Sequence, residues 1–134
     1  MANRWFNQFK GSLEKGVVQL DGYVSIHADT GAVTSETLMG ASVARTAAGT
    51  YTITLEDQYP KLLAVAVCPV AIGTFVAQFM KVKQVLDADD VDCGASLANV
   101  KKIVVCTCNS SGVPTDAVVE AGFTVHLVLK NSTV

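Results

Sequence analysis

Between Gly49 and Glu56 apolar and polar positions alternate without a break. Tyr51, Ile53 and Leu55 fall on one side, Thr50, Thr52, Thr54 and Glu56 on the other. Side chains change face at every residue of a strand, so this pattern predicts one core face and one hydroxyl-rich face. Ala41–Thr46 reads as a second short strand, and Ala47-Ala48-Gly49 as the connection between the two. Gly49 supplies the positive φ that such a hairpin connection needs.

The same reading extends along the chain. Val17–His27 is a long strand with Val18, Leu20, Val24 and Ile26 inward and Gly22 marking a bend or bulge. Ala28–Thr37 reads as a polar loop, and the strand begun at Thr50 ends in Glu56-Asp57-Gln58-Tyr59-Pro60. Leu62–Val70 is almost wholly apolar, the pattern of a strand covered on both faces, with Pro69 ending it or placing it at an edge. Thr74–Leu86 sets Gln78, Met80 and Val82 opposite Phe79, Lys81 and Lys83. Val100–Cys108 and Gly122–Lys130 complete the set, the last with Phe123, Val125, Leu127 and Leu129 inward. About seven short strands with Gly, Asn and Pro punctuation predict an all-β fold, an antiparallel β-sandwich or barrel.

Only the N-terminus departs from this period. Trp5, Phe9 and Leu13 recur four apart with Phe6 beside them, an aromatic stripe on a short helical or extended arm. The expected organisation is an arm over residues 1–16 and a single β domain over 17–134. A chain of 134 residues buries about two-thirds of its unfolded surface, enough for a core without disulfides or metal. Half the residues are hydrophobic and only 16% are charged, an apolar balance that points to burial against another copy or a partner. A net charge of −2 speaks against a nucleic-acid partner. The lysines at 81, 83, 101 and 102 read as a solvated strand face. No apolar run is long enough to span a bilayer, and no secretory signal is expected.

Candidate chemistry is sparse. Cys68, Cys93, Cys106 and Cys108 match neither a zinc ribbon nor a CxxC redox motif and read as packed thiols of a reducing cytoplasm. Cys106 and Cys108 share a strand face, and with a histidine they form the one thiol or metal arrangement to weigh. Asp87, Asp89, Asp90 and Asp92 resemble a calcium loop only in composition, lacking its glycine, terminal Glu and flanking helices. His27 and His126 have no nucleophile motif beside them. No catalytic residue, cofactor or metal is nominated, and the expectation is a protein that is not an enzyme.

Three stretches carry a resemblance. Arg4-Trp5-Phe6-Asn7-Gln8-Phe9 with Leu13–Leu20 resembles the opening of small structural proteins from the head-gene region of tailed bacteriophages. Val43–Leu55 resembles the G-x-Y-x-[IV]-x-L hairpin of phage decoration and fibre proteins, and Gly122–Asn131 is similar to the close of the same proteins. The resemblance implies a decoration, or cement, protein on the outer surface of the virion capsid, made in the host bacterial cytoplasm. Its implied partners are the major capsid protein and further copies of itself, as a trimer or alternatively a dimer. Within that reading Arg4, Trp5, Phe6, Phe9 and Leu13 are the residues that bind the capsid or a neighbour. The alternative is a tail-fibre or head-fibre tip domain that binds a receptor or carbohydrate.

Overall fold

In the computed structural model, residues 17–27, 30–71, 79–109, 111–115 and 121–131 are described. They form seven antiparallel strands: β1 (Val17–Ile26), β2 (Val33–Glu36), β3 (Ala41–Ala47), β4 (Thr50–Ala71), β5 (Phe79–Leu86), β6 (Ala98–Cys108) and β7 (Ala121–Lys130). A three-residue 3₁₀ turn, Gly94–Ser96, precedes β6. The hydrogen-bonded order is β2-β1-β7-β4-β6-β5, with β3 on β4, and the sheet does not close. The all-β, seven-strand expectation holds, in its open form.

The long strand β4 decides the architecture. Residues 50–54 pair with β6 and residues 50–55 with β3, so those strands lie on opposite edges. Lys61 pairs with Ala98 of β6 and Lys130 of β7, which puts β7 on the edge that β3 occupies upstream. Between the two halves the register slips from Thr54 to Tyr59 while Glu56, Asp57 and Gln58 stay exposed. Lys101 Nζ donates to the Glu56 carbonyl at 2.6 Å, and Gln58 Nε2 donates to the Asn99 carbonyl at 3.0 Å, holding β6 across this bend.

The bend folds the sheet onto itself. Phe123 pairs with Pro69, eighteen residues along β4 from Tyr51, a separation of about 60 Å on a straight strand. Yet the Tyr51 and Phe123 ring centroids lie 5.5 Å apart. Two layers therefore face each other. One is β2-β1-β7 with the second half of β4, and the other is β3, the first half of β4, β6 and β5. Tyr51, Ile53, Leu55, Ile103 and Val105 from one inner face pack with Val24, Phe123, Val125, Leu127 and Leu129 from the other. Burying such side chains contributes about 1.5–3 kcal/mol each, the main source of stability here.

The alternating patterns of the hairpin, β1 and β7 point as expected. Gly49 has φ +64°, and Thr115 lies so close that a Cβ there would stand 2.5 Å from its backbone nitrogen. Four expectations change. The strand ending at Tyr59-Pro60 and the strand Leu62–Val70 are one continuous β4, because the bend keeps its ladder partners on either side. Residues 33–36 of the expected loop form β2, drawn into pairing by the exposed edge of β1. Gly22 marks no bulge: the ladder to β7 runs through it, and Leu38 packs where a Cβ would project. Within the expected strand Thr74–Leu86, residues 79–86 are strand and 74–78 lie outside the described residues.

Candidate interaction surface

The outer face of the first layer follows from its register. Gln19, Val128 and Ala64 form one row, Asp21, His126 and Ala66 the next, Tyr23, Thr124 and Cys68 the third. The β1 and β7 side of this face is polar, and Asp21 and the His126 ring are paired on it. The β4 side is apolar: Ala64, Ala66, Cys68 and Val70 lie on it and are exposed, as are Leu63 at the register slip and Pro69 in the alternate register.

This corrects the expectation of a strand covered on both faces. Leu62 is buried and Val65 and Val67 are half-buried against the core, but the opposite face has no layer over it among the described residues. Leu63 is 48% and Val70 38% exposed. The edge is open as well. The Leu62 N–H still donates to the Leu97 carbonyl at 3.0 Å, and beyond it the 3₁₀ turn carries the chain away from β4. From Leu63 to Ala71 no described strand pairs with this edge. Pro69 therefore sits in an edge strand, as its missing N–H requires. The result is a nine-residue strip, about 30 Å long, with no charged side chain and, among the described residues, no partner on its backbone edge.

The other candidates resolve differently. Cys106 and Cys108 are buried with their sulfurs 3.4 Å apart on the outer face of the second layer. Burial pushes the Cys106 thiol up, the Cys108 hydrogen bond and charge add to this, and Lys81 and Lys83 pull the other way. A protonated, buried thiol is a poor nucleophile. His126 is on the outer face of the opposite layer and His27 follows the end of β1, so neither histidine joins the thiol pair.

The acidic loop is organised by its own backbone. Asp87 Oδ1 accepts from the Asp89 and Val91 N–H groups at 2.8 and 3.0 Å, and Asp92 Oδ1 accepts from the Gly94 N–H at 2.7 Å. Asp90 pairs with Lys102, and Gln84 Nε2 donates to Asp92 Oδ2 at 3.2 Å. Among the described residues no three His, Cys, Asp or Glu side chains converge to hold a metal. The four lysines do not form one solvated face: Lys81 and Lys83 are exposed on β5, whereas Lys101 and Lys102 are half-buried and engaged with Glu56 and Asp90.

Arg4, Trp5, Phe6, Phe9 and Leu13 lie outside the described residues. The open face of the strip on β4 was not foreseen, because an apolar run looks the same with a covering layer or without one, whereas its edge position was one of the two readings of Pro69. The signal available was Pro69, which is admitted only where one edge lacks a neighbour. No known family model, characterised protein or solved structure matches the chain.

Proposed function

We propose that this chain is a non-catalytic structural protein that coats the outer surface of a tailed-phage capsid and stabilises it. The observation that carries the reading is the uncharged strip on the second half of β4, exposed on a rigid two-layer framework. An apolar sheet face of this kind is suited to adhesion, not to proton transfer. The sequence resemblance at both ends and in the central hairpin supplies the phage context.

A shell filled with DNA is under outward pressure, and a clamp across its capsomer junctions adds interface where the shell is weakest. Copies joined in a closed oligomer bind such a lattice with avidity, so no single contact has to be strong. The working form is a homo-oligomer, a trimer ahead of a dimer. Arg4, Trp5, Phe6, Phe9 and Leu13 act as the gripping residues on the capsid or a neighbour, because Trp, Phe and Arg side chains supply much of the energy of protein contacts.

Co-sedimentation with filled heads tests this. The full chain is expected to pellet with heads and raise their resistance to heat, and a variant lacking residues 1–15 to remain in the supernatant. Full-chain protein that never sediments with heads overturns the proposal. Undiminished coating by the truncated variant removes the arm from it.

A further inference from the structure

We infer that the strip from Leu63 to Ala71 is the receptor for the aromatic segment Arg4–Leu13 of a neighbouring copy of this chain. The inference rests on the arm being a docking element, as proposed above, and names the surface it docks on.

Long, flat, apolar edges are usually blunted by charges, shortness or a cover, because they pair with other chains. Between Lys61 and the end of β4 there is no charge, and Pro69 is the single blunting residue. Among the described residues no layer or strand covers it, and the chemistry of a cover is set by the strip. Ala64, Ala66, Cys68 and Val70 give a shallow floor of small side chains, on which a broad aromatic ring buries a large area. Trp5, Phe6 and Phe9 are such rings, on a segment with one apolar stripe. From Trp5 to Leu13 the stripe spans about 12 Å as a helix or about 26 Å extended. Both fit within the length of the strip.

Direction selects a neighbouring copy. Val17 pairs with Lys130, which pairs with Lys61, so β1 starts about 10 Å from the foot of the strip. β1 and the second half of β4 run the same way from that row. The chain enters β1 at Val17, at the end opposite to the one toward which its own strip extends. An arm seated on its own strip has to reverse direction between Leu13 and Val17, a constraint that the strip of another copy does not impose. Area agrees. Three aromatic side chains bury about 450–750 Å² per arm at 150–250 Å² each. In a reciprocal pair each copy gives one arm and receives the other at the same interface, which exceeds the roughly 800 Å² per partner of a stable interface; in a ring each junction reaches about 450–750 Å² per partner.

Cys68 is an exposed thiol in the middle of the strip, and this makes a direct test available without capsids. In the Phe9→Cys variant, oxidation by copper phenanthroline is expected to give covalent multimers. Reductant should dissolve them, and adding Cys68→Ser should abolish them. A disulfide confined within single chains, or none at all, overturns the inference. As a second readout, maleimide labelling of Cys68 is expected to be at least about tenfold slower in the wild-type chain than in a Trp5→Ser/Phe9→Ser variant. An arm seated nine-tenths of the time leaves the thiol open one-tenth. Equal rates overturn it too. Because capsids are absent, a negative result here leaves the head-coating proposal standing or falling on its own sedimentation test.

Discussion

The folded-over β4 predicts an energetic coupling between Tyr51 and Phe123, two residues on hydrogen-bonded strands that meet only because the sheet doubles back. The perturbation is the pair Tyr51→Leu and Phe123→Leu, alone and together. Both side chains are fully buried, with ring planes tilted by 53° and centroids 5.5 Å apart. Such aromatic pairs contribute about 0.5–1.5 kcal/mol beyond the area they bury. Tyr51→Leu also removes the hydroxyl that donates to the Gly31 carbonyl at 2.7 Å, and an abandoned buried acceptor costs about 1–3 kcal/mol. That loss has no counterpart at Phe123 and belongs to the single variant, so it cancels in the cycle. Urea unfolding of the four proteins gives the coupling as the departure from additivity. We expect the double variant to be less destabilised than the sum of the singles by about 0.5–1.5 kcal/mol. Tyr51→Phe, which keeps the ring, serves as the control for the hydroxyl alone. Additivity within about 0.3 kcal/mol would refute the face-to-face layers, since residues without mutual contact add to that precision.

Two further predictions follow from the same framework. Gly49→Ala places a side chain at φ +64° against the backbone of Thr115 and should cost about 1–2 kcal/mol from the backbone conformation alone, more with the clash, as a lowered urea midpoint. The Cys106 thiol is raised from an ordinary value of 9.0 by burial and by Cys108. The folded state thus holds that proton more tightly than the unfolded chain, and its contribution is complete below pH 9 and lost as pH climbs through the raised value. Cys93, raised by burial and by Asp87 and Asp92, acts in the same direction from 9.0, and Tyr59, raised by burial and by Asp57 and Glu56, from 10.0. Urea midpoints should be level from pH 7 to pH 8.5 and fall above 9, with a shallower fall in Cys106→Ala; a pH-independent midpoint refutes this.

What the chain determined by itself is the local geometry. Alternation at Thr50–Glu56, Val17–Ile26 and Phe123–Lys130 assigned each side chain to its face, because a period of two leaves no other way to bury Tyr51, Ile53, Leu55 and the odd positions of β7. Gly49 fixed its turn through a conformation that other residues rarely adopt. Tertiary structure alone decided the rest. That β4 runs unbroken through Glu56–Pro60 depends on which strands meet it on either side of the bend, a matter of long-range pairing. The same holds for β2, whose pattern is no stronger than that of a loop until β1 offers it an edge. Most of all, Leu63–Val70 carries apolar residues in both registers, so the sequence records only that the strand tolerates cover on either face. Whether a layer lies there is set by how many strands the chain has left to place, and the described strands leave that face and edge open.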